Sequence, residues 1–244
     1  MDLSGNCHIA VDTIYISVEG KANQYIPKRS NKNIFAWSSQ KSAIVLKTML
    51  NDYKKEWQIQ ELSSLTGVSI GMVFNIKNYL LENNWAEKTI IGFRLKNIRD
   101  FLWEWASIYN LSSPKAEEYY SFDDIPLFEE NISEWNKKRG AAVILGAFSA
   151  AARYAPTVRY NKATVYVEIS DKEEFIRDFQ LKKVDSGGNI AISTIYDKSV
   201  TMFPKTLNNS LITSPSQTVL DLLSHSGRGE EAAEAIVQKE FDKL

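Results

Sequence analysis

The chain has 244 residues, 44% of them hydrophobic and 24% charged, with six Trp and a net charge of −1. That balance fits a folded chain with room for two modest domains and excludes a disordered or membrane-spanning one. The single Cys7, with only His8 and His225 as histidines, excludes an internal disulfide and falls short of a zinc ligand set, so no metal or other cofactor is expected.

No run approaches the length of a membrane-spanning helix. Asp2 opens a short alternating stretch rather than a basic and then apolar leader, so a cytoplasmic location is expected. The near-neutral total hides an asymmetry. From Ile26 to Arg99 twelve basic residues stand against five acidic ones, a net +7, whereas Leu111 to Leu244 nets −4. A basic segment joined to a mildly acidic one suits a polyanion-binding module with a separate second domain.

The alternation of "CHIAVDTIYISVEGK", with Ile14, Ile16 and Val18 on one face, predicts a strand or hairpin closed by Gly20. "NQYIPKRSNKNIFAW" lacks periodicity and reads as a loop. Ser38 or Ser39 then starts a helix through Lys55, with Ala43, Leu46, Met49, Leu50 and Tyr53 at helical spacing. A short second helix, Ile59 to Thr66, is ended by Gly67, and Ser69 is placed to cap a third from Ile70 to about Asn83. Val73, Ile76 and Leu80 form its buried stripe, and "WAEKTIIGFRLKN" predicts two short strands turned near Gly92.

Three helices with a tight glycine turn, followed by a hairpin, are the parts of a winged helix-turn-helix, which props its last helix across the others to enter a major groove. The expected outward positions are Gly71, Met72, Asn75, Lys77 and Asn78. Gly71 permits close approach of DNA, and Asn75 and Asn78 offer the donor and acceptor pair that suits adenine. Lys77, with Lys88, Arg94 and Lys96 on the wing, is placed for phosphates, as is Ser69 at the helix N-terminus. The alternative is a protein-interaction module whose winged helix docks a partner rather than DNA; such a module should show an apolar outer face.

Farther along, Ile98, Leu102, Trp105 and Tyr109 make a helical stripe expected to pack between two domains. Residues 111–130, with Pro114, Pro126 and acidic pairs, read as a linker. The small-residue run of "KKRGAAVILGAFSAAARYAP" permits a helix packed closely against a sheet and stopped by Pro156. "TVRYNKATVYVEI" predicts one strand or two, with Val165, Val167 and Ile169 alternating. A helix over Lys172 to Phe179, a strand after Gly187-Gly188 and two closing helices broken at Gly227 to Gly229 complete an α/β domain.

Catalysis is not expected. Gly227-Arg228-Gly229 lacks the Lys and Ser or Thr of a phosphate-binding loop, Ser149 lies in no nucleophile elbow, and Glu168 stands alone on its strand.

The segments "GNCHI", "ELSSLTGVSIGMVFNIKNYLLENNW", "WEWASIYN", "GAFSAAARYAP", "TVYV", "GGNIAI" and "SPSQTVLDLLSHSGRGEEAA", in this order and spacing, resemble the AbiEi family, the antitoxins of type IV toxin-antitoxin systems. The resemblance implies a phage-defence regulator that represses its own operon at repeated promoter sites as a homodimer on double-stranded DNA. It further implies a C-terminal antitoxin domain, similar to a non-catalytic nucleotidyltransferase-type fold, which counters a nucleotidyltransferase-like toxin without a stable complex. Ala147-Phe148-Ser149, where the family often carries a Glu, and Ser113-Pro114-Lys115, in place of Arg-Pro-Lys, depart from its pattern. The expected architecture is α+β: a winged helix-turn-helix domain with the hairpin over 1–110, a linker over 111–130 and an α/β domain over 131–244, with the two halves folding separately.

Overall fold

At Asp12 the backbone turns left-handed, φ 48°, and folds β1 (Cys7–Val11) back on β2 (Ile14–Val18). The antiparallel register sets Ile9 against Ile16 and Val11 against Ile14, so one face of the hairpin is apolar. In this computed structural model the described residues are 6–20, 34–36, 38–112, 114–140, 142–155, 159–195, 197–225 and 227–242. The loop expected over 23–37 lies mostly outside them, as does Pro156.

The chain divides into two compact units at 33/34: the hairpin belongs to the first and everything from Ile34 to the second. The hairpin thus falls in a different unit from the helices with which the sequence groups it. Helix α1 (Gln40–Asn51) ends earlier than the expected Lys55, at Asp52. It is followed by α2 (Ile59–Thr66), α3 (Ile70–Glu82) and the antiparallel pair β3 (Ala86–Lys88) and β4 (Phe93–Leu95). Helix α4 (Ile98–Ser112) buries Leu102, Trp105 and Tyr109, as their spacing predicts.

The segment read as a linker carries β5 (Glu117–Tyr120) and the first turn of α5 (Ile125–Arg139). Asp124 caps that helix by accepting a hydrogen bond from the Leu127 N–H (2.9 Å), Pro126 lies in its first turn, and Gly140 ends it at φ 64°. There follow β6 (Ile144–Leu145), α6 (Ala147–Tyr154), β7 (Ala163–Glu168), α7 (Lys172–Asp178), β8 (Lys182–Lys183), β9 (Ile190–Ile195), β10 (Lys205–Leu207), β11 (Ser210–Ile212), α8 (Pro215–Leu222) and α9 (Arg228–Glu240). Val165 and Val167 alternate inward on β7 as expected, whereas Ile169 lies past the strand end and is exposed. Arg228 and Gly229 belong to α9, and a Cβ on Gly229 would sit 2.1 Å from the Leu222 carbonyl oxygen, so glycine there lets α9 close against α8.

The fold is α+β. One seven-stranded mixed sheet, in the order β10-β11-β6-β7-β9-β5-β8, pairs β11 with β6 and β7 with β9 in parallel and the rest antiparallel. Helix α8 packs on α4, α6 and α9, and α1 also reaches α8. A single apolar core runs from Ile34 to Phe241 through both the helical segment and the sheet. Among the described residues no helix is long and apolar enough to cross a membrane.

Candidate nucleic-acid interface

Gly67 takes the left-handed conformation at φ 67° and its N–H donates to the Ser63 carbonyl (3.0 Å), which ends α2. The Ser63 hydroxyl donates across the turn to the Val68 carbonyl (2.7 Å). Ser69 then begins α3, but through its backbone: its carbonyl accepts from Met72 and Val73 N–H, while its hydroxyl makes no cap hydrogen bond. Ser69 is exposed at the helix N-terminus, where the first N–H groups have no carbonyl four residues back within the helix.

Val73, Ile76 and Leu80 are buried, which fixes the rotation of α3. Gly71 and Asn75 face solvent, whereas Asn78 is half-buried. Met72 lies on the flank, packed against the core, and Lys77 on the other flank holds its Nζ 5.7 Å from the Phe93 ring centroid. The exposed face holds two residues missed by the sequence reading, Ile70 at 55% and Phe74 at 47% exposure. The signal was available: Phe74 falls between the inward positions 73 and 76, on the side away from the stripe.

The hairpin β3–β4 is tied at its tip by the Thr89 N–H to the Gly92 carbonyl (3.0 Å) and by the Gly92 N–H to the Thr89 hydroxyl (3.1 Å). Trp57 adds a third rung, exchanging hydrogen bonds of 2.7 and 3.0 Å with Phe93. A Cβ on Gly92 would lie 2.0 Å from the Trp57 carbonyl oxygen, so only glycine permits that approach. Ile90 and Ile91 stand exposed at the tip. Lys88 is exposed, Lys96 is half-buried, and Arg94 binds Glu87 directly across the strands at 2.5 Å. That hydrogen bond holds the Glu87 carboxyl below its ordinary range and raises the Arg94 guanidinium.

Two of the basic residues in the +7 count point elsewhere. Arg99 pairs with Glu234 at 2.9 Å. Lys47 is buried, because its position on α1 faces α8 and the 3-10 turn Lys198–Thr201; its Nζ donates to the Ser199 carbonyl (2.7 Å) and to Gln217 Oε1. Burial lowers the Lys47 ammonium to about 7, against the pull of Asp221 and Asp197. Gln217 donates onward to Asp221 (2.6 Å), which also accepts from the Tyr166 hydroxyl (2.7 Å); burial raises that carboxyl to about 6. Asp221 and Tyr166 lie on the wall of a cavity of about 740 Å³ between α4, the sheet and the end of α8. This chain of contacts was not read from the sequence, since its members come from α1, β7 and α8 and share no local pattern.

Residues 94–242, from β4 through α9, match the family described as transcriptional regulator, AbiEi antitoxin, type IV TA system. No curated protein and no solved structure matches the chain. The match covers well over half of the sequence and takes in α4, the whole seven-stranded sheet and the closing helices. The chain belongs to the AbiEi antitoxin family of transcriptional regulators of type IV toxin-antitoxin systems.

Proposed function

We propose that the protein is a DNA-binding repressor of its own operon and the antitoxin of a type IV toxin-antitoxin pair, acting without catalysis in the cytoplasm. The observation that carries the DNA reading is the sequence α2, glycine turn, α3, β3–β4, with a buried stripe that leaves Gly71, Asn75 and part of Asn78 on the outer face and a third rung from Trp57 behind the hairpin. These are the features of a winged helix-turn-helix whose α3 enters the major groove and whose hairpin lies along the backbone. Lys88 and Lys96 serve phosphates, and Asn75 and Asn78 serve base edges. The family resemblance carries the remaining assignments: the sheet with its helices as the antitoxin domain, similar to a non-catalytic nucleotidyltransferase-type fold, and a nucleotidyltransferase-like toxin as the counterpart.

One observation favours the second reading, in which the winged helix docks a protein. Leu65, Ile70, Phe74, Ile90 and Ile91 are all exposed, so the outer surface is not wholly polar. A titration of the promoter duplex against the full chain over a salt series separates the two. DNA binding gives an affinity that falls with salt, and Lys88→Ala reduces the slope of log K against log salt by about 0.9. Arg94→Ala reduces it less, because Glu87 already neutralises that guanidinium. A salt-independent, sequence-blind association, or none, defeats the DNA reading.

A further inference from the structure

We propose that Phe74 reads the methyl group of a thymine in the major groove, so that the operator contains a T·A pair at a fixed position under the N-terminal half of α3. The inference rests on the DNA-binding reading above and deepens it.

The core does not need Phe74. Val73, Ile76 and Leu80 fill the inner stripe, and Met72, Tyr79 and Leu81 pack against the core from the flanks, whereas Phe74 remains 47% exposed. Ile70, 55% exposed, precedes it by one turn and Asn78 follows by one turn, so the three form a single row along the outer face. A parallel row holds Gly71 and Asn75. Nothing lies within 4 Å of a Cβ built on Gly71, so the space beside Phe74 is open rather than filled by the protein. Glycine in a helix is unfavourable by up to about 1 kcal/mol relative to alanine, and no contact inside the molecule requires it here.

The first two turns of a recognition helix are the ones that reach base edges. In that position an apolar ring has one favourable partner on a base edge, the C5 methyl of thymine, while the adjacent Asn75 matches adenine N6 and N7. Exposed Lys88 and half-buried Lys96 on the hairpin give the polyanion complementarity that a protein partner of the same apolar row would not need.

The test uses the full chain and the duplex it enriches from a randomised pool. Each thymine is replaced in turn by uracil, which pairs identically and lacks only the methyl. At one position the wild type should lose about fourfold in affinity, the worth of one buried methyl. Asn75→Ala should keep that loss, Phe74→Ala should abolish it, and Phe74→Leu should retain part of it. Far-UV circular dichroism checks that the exposed substitutions leave the fold intact. Uracil tolerated everywhere by the wild type, or a penalty that persists in Phe74→Ala, overturns the proposal while leaving DNA binding standing. A pool without enrichment overturns the DNA reading itself, and this proposal with it, in favour of a protein partner on the same row.

Discussion

Lys47 enters the fold from α1 and loses most of its taste for a proton there, lowered from 10.5 to about 7 by burial. Between those two values the unfolded chain binds a proton that the folded chain does not, so stability rises with pH across that window and the full penalty stands below about 7. Asp221 works in the opposite sense: raised from 3.8 to about 6, it lowers stability as pH climbs through that lower window. Thermal midpoints measured from pH 7 to 9 should therefore rise for the wild type and stay flatter for Lys47→Met; parallel curves would show that Lys47 keeps its charge in the fold. In the sequence this lysine is indistinguishable from its solvated neighbours, since α1 has no local mark that its face meets Ser199, 152 residues away.

At the level of elements, the parts with local chemistry were legible and those set by distant pairing were not. Gly67, Ser69 and the stripe of Val73, Ile76 and Leu80 fixed α2 and α3 because capping and helical period act within a few residues. The strand β5 was missed because Glu117–Tyr120 alternates nothing, its place between β9 and β8 being decided by those partners. Helix α5 was legible and misread. Asp124, Pro126 and Gly140 are a start and a stop, yet in the sequence the proline reads as the mark of a linker. The turn of β10–β11 at Asn208-Asn209, both left-handed, carries the signature of a tight hairpin and was also passed over. The hairpin β3–β4 offers a direct test of an element. Gly92→Ala should break the rung to Trp57 and destabilise the chain by about 1 to 3 kcal/mol in urea titration, as overpacking against a fixed backbone does. An unchanged midpoint would mean that the tip shifts to make room.

For the molecule as a whole, a core continuous from Ile34 to Phe241 changes what the two halves can do alone. Cutting between α4 and β5 strips α1 and α4 from α8, exposing buried Tyr109 and breaking the contacts of Asn110 with Leu220 and of Lys47 with Gln217. The full chain should accordingly unfold from Ile34 onward in one transition seen alike by tryptophan fluorescence and circular dichroism. Residues 34–112 and 114–244 made separately should be insoluble or unfolded. Two well-resolved transitions, or a folded front fragment, would bear out the separately folding halves that the sequence suggests.

Only residues 113–116 separate the end of α4 from β5, a span of at most about 14 Å. With α4 itself lying on α8, the part from Ile34 onward is a lever without a hinge. Whatever grips the sheet grips α3 as well, so if α3 reads DNA as proposed, a ligand acting on the C-terminal part would loosen it by turning or withdrawing everything from Ile34 onward rather than by swinging that helix aside.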